Sequence, residues 1–206
     1  MRVLDLFSGA GSVAKVFRSH GYTVTTLDRD MEADIKTDIM KWRYKDLPRG
    51  SFDVIWASPP CTEYSLAKTT GVRRIEEANE IVKRTLKIIS YFNPTTWILE
   101  NPQTGYLKKQ VFMIGLPYVD VDYCKYGMPY RKRTRLWTNR NLQLLPLCQF
   151  DCDSIDESGK RHKATAQRLP PGRKSQWGDQ PIHQQQDLYK IPEALVADII
   201  INITSV

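Results

Sequence analysis

Over its first 140 residues the chain alternates short apolar runs with amphipathic stretches, the pattern of a sheet whose strands are joined by crossover helices. Residues 2–7, Arg-Val-Leu-Asp-Leu-Phe, read as a strand, and residues 12–20 as a short helix that stops at Gly21. Residues 22–27, rich in Thr and Val, read as a second strand closing on Asp28, and residues 52–57 as a buried strand bounded by Pro59-Pro60. From 75 to 92 the apolar side chains Ile75, Ala78, Ile81, Val82, Leu86 and Ile89 keep a helical period that stops at Asn93-Pro94. Further strands are expected over 97–99, 119–124 and 135–138, and Cys124, inside an apolar run, reads as core.

The texture changes near Asn141. Residues 142–147 form a short apolar stretch broken by Pro146, and residues 148–184 have few apolar periods, with Pro170-Pro171-Gly172, Gly178 and many Gln, Lys and Arg. That composition reads as a loop-rich insertion. Ile191-Pro192-Glu193 then opens a final helix, with Pro and Glu where a first turn tolerates them. Its Leu195, Ile199, Ile200 and Ile203 should carry it back to the main core. The expected architecture is α/β, a mostly parallel sheet with helices on both faces. A core over 1–140 is followed by an insertion over 141–188 and a returning helical segment over 189–206.

Composition changes this picture little. A chain of 206 residues, 41% hydrophobic and 26% charged, suits one compact domain. No apolar run approaches the ~20 residues a membrane span needs, and the opening Met1-Arg2-Val3-Leu4 lacks a signal-peptide pattern. With four cysteines, that start points to an intracellular, reducing setting in which thiols serve as ligands or nucleophiles. The net charge of +7 fits a polyanionic partner, although basic surfaces also serve solubility alone. Its clustering, in Arg131-Lys132-Arg133-Thr134-Arg135 and Lys160-Arg161-His162-Lys163, favours phosphate contacts.

The candidate chemistry lies in a few junctions. Asp5-Leu6-Phe7-Ser8-Gly9-Ala10-Gly11-Ser12 joins the first strand to the first helix, where glycines let the backbone approach a ligand. Asp28, at the end of the second strand, can accept hydrogen bonds from ribose hydroxyls, and Asp38 can receive an adenine amino group. Gly9-x-Gly11-x-x-Ala14 also satisfies a loose dinucleotide pattern, and a tight turn without ligand would look alike. At the other end, Ser58-Pro59-Pro60-Cys61 stiffens a turn that holds a thiol in one direction. Ile98-Leu99-Glu100-Asn101-Pro102 brings a carboxyl group to the same sheet edge, and the Arg131–Arg135 run follows. Taken singly, these are an ordinary turn, an ion-paired loop glutamate and a solvated basic strand.

In this order they resemble the C5 cytosine-specific DNA methyltransferase family, class I enzymes dependent on S-adenosylmethionine with a Rossmann-like fold. The resemblance covers roughly residues 2–138 and recurs weakly in the last helix. It implies that Phe7, Ser8, Gly9, Gly11 and Ser12 cradle the methionine end of the cofactor. Asp28 would hold the ribose, and Asp38 with Ile39 the adenine. Pro60-Cys61 matches the Pro-Cys nucleophile motif, with Pro60 between cofactor and base, and Ser65 at its trailing serine. Glu100-Asn101 matches the motif that grips the target base. Tyr126-Gly127-Met128-Pro129 followed by Arg133 and Arg135 resembles Gly-x-Pro-Gln-x-Arg-x-Arg, with one residue inserted and the Gln absent. The implied reaction adds a Cys61 thiolate to carbon 6 of a flipped or unpaired cytosine. Glu100, Arg133 and Arg135 would stabilise the ring as carbon 5 becomes nucleophilic.

The match departs from the family at several points. Only residues 139–189 occupy the interval of the usual target-recognition region; Thr62 replaces the usual Gln and Pro102 the usual Val. Cys148-x3-Cys152 and His162 offer three ligands for a zinc ion, with Asp151 or His183 as a fourth. Free loop cysteines explain the same residues. DNA, as duplex with a flipped cytosine or as single strand, is the expected partner. RNA is the nearest alternative, because nothing before residue 139 separates the two. An exocyclic amino methyltransferase would not need Cys61, and a nicotinamide oxidoreductase leaves Cys61, Glu100 and the arginines unexplained. A non-catalytic accessory protein on the same fold would be expected to have lost at least one of these residues.

Overall fold

A computed structural model describes residues 1–166 and 189–204. Pro170-Pro171-Gly172, Gly178 and His183 therefore lie outside the described residues. The chain forms β1 (Arg2–Leu6), α1 (Ser12–Ser19), β2 (Thr23–Asp28), β3 (Ile35–Lys36), β4 (Val54–Ala57), α2 (Ile75–Phe92), β5 (Thr96–Pro102), β6 (Tyr118–Asp122), β7 (Arg133–Thr138) and α3 (Glu193–Thr204). The strands make one seven-stranded sheet in the order β3-β2-β1-β4-β5-β7-β6. Pairings from β3 through β5 are parallel, and β7 runs antiparallel to both β5 and β6. This is the expected α/β, Rossmann-like arrangement.

Burial explains the strand sequences. All four residues of β4, Val-Ile-Trp-Ala, are buried, as a parallel strand covered on both faces requires. On one face Val3, Val54 and Trp56 meet Val13, Ala14 and Phe17 of α1 and Leu195, Val196 and Ile199 of α3. On the other, Leu4, Leu6, Ile55 and Ala57 meet Ile88, Ile89 and Phe92 of α2. Helix α2 ends where Asn93 turns left-handed (φ 50°) and donates its N–H to the Ile89 carbonyl, a common helix stop before proline. Among the described residues no helix is long and apolar enough to cross a membrane.

Several elements differ from the sequence expectation: the short β3 matches none of the expected strand ranges, and β7 begins at Arg133 where 135–138 is expected. Strand β5 runs on through Glu100 and Asn101 because β7 lies alongside it, pairing Glu100 with Leu136 and Asn101 with Arg135. Strand β6 stops at Asp122, so Cys124 sits in the 3-10 turn Tyr123–Tyr126 rather than in a strand. Cys124 is buried as expected, and its thiol also lies close to Cys148, Cys152 and His162. Described residues of the insertion contain no helix and one isolated bridge, Ile155 to His162. They dock on the β6–β7 connection through Ser154 Oγ to Met128 O (2.7 Å), Ala164 N to Pro129 O (3.0 Å) and Lys125 to Asp151 (2.9 Å).

Candidate active site

The chain leaves β1 towards β3 on one side and returns to β4 on the other, so strand order reverses between β1 and β4. Open α/β sheets bind ligands at such a point, beyond the carboxyl ends of the strands. A cavity of about 850 Å3 lies there, and it takes in both the Gly9 loop and Cys61 with Glu100. Its size is within the ~300–1,000 Å3 range of small-molecule sites.

At the β1–α1 end the backbone is bent sharply. Phe7 is left-handed (φ 62°) and donates its N–H to the Leu27 carbonyl (2.8 Å). Gly9 (φ 52°) and Gly11 (φ 75°) are also left-handed, and nothing lies within 4 Å of a Cβ built on Gly11. Gly11 is thus required by conformation and not by crowding. Asp28 ties this turn to the β2 end: Oδ2 accepts Gly9 N (2.9 Å), and Oδ1 accepts Asp30 N and Met31 N. Asp38 Oδ1 accepts Met40 N (2.8 Å). Phe7, Ser8, Gly9, Ser12, Asp28, Asp38 and Ile39 all line the cavity, whereas Gly11 does not. Tyr189, Lys190 and Ile191 close it from the segment before α3.

Two polar atoms here are orphaned. Asp5 Oδ2 and Ser8 Oγ are buried without a hydrogen-bond partner among the described residues, and both residues line the cavity. Burial pushes the Asp5 carboxyl up to about 7, against the opposing influence of the Ala14 backbone and the Arg18 charge. Unpartnered buried donors and acceptors facing a cavity suit a polar ligand that completes them. The left-handed turn, the Asp28 and Asp38 carboxylates and these orphans fit S-adenosylmethionine, which carries ammonium, carboxylate, ribose and adenine groups.

Cys61 is held from three sides. Ser58 N bonds the Leu6 carbonyl (3.2 Å), and Asn101 Nδ2 donates to Pro59 O (2.9 Å). Tyr64 N donates to Cys61 O (3.0 Å), and the buried Tyr64 hydroxyl bonds Asn79 Oδ1 on α2 (2.9 Å). Asn101 therefore acts on the loop from below; it does not line the cavity, and neither does Ser65, whose Oγ accepts Ala67 N. Pro60 and Thr62 flank Cys61 in the lining. The thiol is half-buried. Burial pushes it up, the Lys132 charge draws it back down, and Glu100 adds to the rise.

Glu100 is nearly buried and accepts the Tyr123 hydroxyl (3.1 Å) at Oε1. Burial and then the Glu100 charge push Tyr123 well above the usual phenol range, so it stays a donor. Lys132 lines the cavity, its ammonium 5.0 Å from the Tyr123 ring centre.

Arg133 and Arg135 do not line this cavity. They are directly opposite Asp122 and Asp120 in the β6–β7 register and pair with them in bidentate fashion at 2.7–2.9 Å. Arg135 also lies over the Tyr118 ring. Side chains alternate along a strand, so Arg133 and Arg135 share one face of β7 while Thr134 and Leu136 share the Glu100 face, and Lys132 immediately precedes the strand. Lys132 and Asp5 line the cavity and Tyr123 bonds Glu100 from the buried side, and the sequence pattern gives none of the three a role there. Cys148, Cys152 and His162 come together away from the cavity, joined by Cys124, while Asp151 is engaged by Lys125.

Comparison with known proteins agrees with this geometry. The family model for C-5 cytosine-specific DNA methylase matches residues 1–109, a span that includes the Gly9 loop, Cys61 and Glu100. A protein of Frog virus 3 (isolate Goorha), named "Probable DNA (cytosine-5)-methyltransferase", is 33% identical over 221 aligned positions, covering 97% of this chain and 99% of that one. The "Type II methyltransferase M.AgeI" of Thalassovita gelatinovora is 26% identical over 166 positions, 65% of this chain and 38% of its own length. With more than half of its length matched by the family model and nearly all of it aligned to the viral relative, this chain belongs to the C-5 cytosine-specific DNA methylase family.

Proposed function

We propose that this enzyme methylates carbon 5 of cytosine in DNA through a covalent bond between Cys61 and carbon 6. The observation that carries the reading is the single cavity that joins the Gly9 loop to Cys61 and Glu100. Phe7, Ser8, Gly9, Gly11 and Ser12 would receive the methionine end of S-adenosylmethionine, Asp28 its ribose, and Asp38 with Ile39 its adenine. Bound there, the cofactor supplies an electrophilic methyl group. Pro60 separates that side from the base.

Cytosine enters flipped out of the duplex, because carbons 5 and 6 are unreachable within the stack. The Cys61 thiol gives its proton to solvent and its sulfur bonds carbon 6, moving the ring's π pair to carbon 5. The Glu100 carboxyl group shares a proton with ring N3 as negative charge develops, and the Tyr123 hydroxyl holds that carboxyl group in place. Lys132 favours the thiolate, and its charge would also stabilise negative charge on the exocyclic oxygen. Carbon 5 takes the methyl group, its proton leaves to solvent, and the carbon–sulfur bond breaks to return the thiolate. Arg133 and Arg135 support the start of β7, directly after Lys132.

DNA labelled with tritium at carbon 5 of cytosine distinguishes this reaction from methylation of the amino group. Release of one tritium per methyl transferred is expected, with release and methylation both lost in Cys61→Ser. Methylation without tritium release, or full activity in Cys61→Ser, would point to amino-group chemistry and overturn the reading. The same assay on RNA tests the alternative substrate.

A further inference from the structure

We propose that Cys124, Cys148, Cys152 and His162 bind a structural zinc ion. Their ligand atoms all lie within 4.8 Å of one another, and Cys148 Sγ is 3.5 Å from His162 Nε2. Zinc–sulfur bonds near 2.3 Å and zinc–nitrogen bonds near 2.0–2.1 Å give tetrahedral edges of ~3.6 Å for S–N and ~3.8 Å for S–S. A small contraction of the cluster therefore completes the coordination. Three thiolates with one imidazole select zinc over hard cations such as magnesium or calcium. Four protein ligands leave no open position, so the ion would be structural and not catalytic.

The surroundings give the site a purpose. Three separate pieces of chain meet there: the turn after β6, residues 148–152, and His162. Among the described residues 142–166, only Leu142, Cys148, Ser154 and Ala164 are buried. So little apolar burial calls for another tie, and a metal clip supplies it. The ligands have supports: Cys148 N–H donates to Asp122 Oδ2 (3.0 Å), and the His162 ring packs against Phe150 at 5.6 Å. Asp122 in turn holds Arg133. The clip would fasten the insertion to the turn whose Tyr123 hydroxyl reaches Glu100, so metal loss should loosen the reactive side of the cavity as well. The site stands whether or not the methylation reading holds.

The test is metal analysis of the full chain purified from zinc-supplemented cells. About one zinc per chain is expected. Replacement by cobalt(II) should give the visible bands of a tetrahedral ion with thiolate charge transfer in the near ultraviolet. Cys124→Ser and Cys148→Ser should weaken zinc binding beyond the ~10–100-fold typical of outer-shell changes, while Cys61→Ser retains the ion. Should the ligand variants fail to fold, the cobalt spectrum of the unaltered protein decides. Four freely titrating thiols with no zinc and no cobalt spectrum, or a disulfide among Cys124, Cys148 and Cys152, would overturn the proposal.

Discussion

Cys61 and Lys132 form the most consequential pair at the residue scale. A thiol pushed up by burial is a poor source of thiolate at neutral pH, and the Lys132 charge opposes that rise. The rate of adduct formation should therefore climb with pH through the alkaline range. In Lys132→Gln the climb should move to higher pH, with activity lost at neutral pH and recovered as the medium becomes alkaline, while Lys132→Arg keeps the original profile. A Lys132→Gln profile that falls uniformly without moving would remove Lys132 from this role. Asp5 gives a second pH signature. Its carboxyl sits at about 7 in the fold against an ordinary 3.8, with burial the main cause. Between those values the folded protein holds a proton that the unfolded chain has released, so the cofactor-free protein should lose stability as pH rises from about 4 to about 7. Asp5→Asn should flatten that slope in denaturant titrations followed across pH.

Strand β7 carries the argument at the scale of elements. One parity of its side chains meets the aspartates of β6, and the other, Thr134, Leu136 and Thr138, is buried on the face that Glu100 shares, a separation that follows from strand geometry alone. Removing Arg133 leaves the fully buried Asp122 carboxylate without its charged partner and with only the Cys148 N–H as donor among the described residues, a loss on the order of 3 kcal/mol. Arg133→Ala should accordingly lower the unfolding free energy, and Arg135→Ala should do so less. Turnover measured on the fraction still folded should survive in both. Abolished turnover with unaltered stability in Arg135→Ala would mean that this arginine reaches the base. Gly105 offers a test of the Cys61 loop: a Cβ there would meet Tyr64 O at 3.2 Å and Pro102 O at 3.3 Å. Gly105→Ala should cost about 1–3 kcal/mol and slow adduct formation, because Tyr64 N holds the Cys61 carbonyl.

Those elements also mark how far the sequence could be read. β1, α1, α2 and α3 were legible because their apolar periods are set by faces they bury themselves. The extension of β5 through Glu100 and Asn101 was not, since polar residues become strand there only by pairing with β7, far along the chain. The turn at Cys124 was not legible for a related reason: an apolar run shows that the residue is buried but not where a strand ends and a turn begins. The motif arginines were visible, but which parity of β7 shares the Glu100 face depends on the β6 aspartates, which no local pattern links to them.

On the scale of the whole molecule, the order reversal between β1 and β4 brings the Gly9 turn and the Pro59-Pro60-Cys61 turn to one sheet edge, around one cavity. The net charge of +7 suits a DNA partner, yet Arg133 and Arg135 are neutralised by aspartates and His162 belongs to the cysteine cluster. Phosphate contacts must then come from other cations, such as the exposed Arg131 and Lys160. The most direct test of the central claim is incubation with S-adenosylmethionine and DNA containing 5-fluorocytosine, followed by denaturing electrophoresis and peptide mapping. Fluorine on carbon 5 cannot leave as a proton does, so a protein joined through Cys61 to carbon 6 of a base methylated at carbon 5 is expected, and Cys61→Ser should yield none. Absence of any linked species from an enzyme that methylates ordinary DNA, or a link through another residue, would contradict the account.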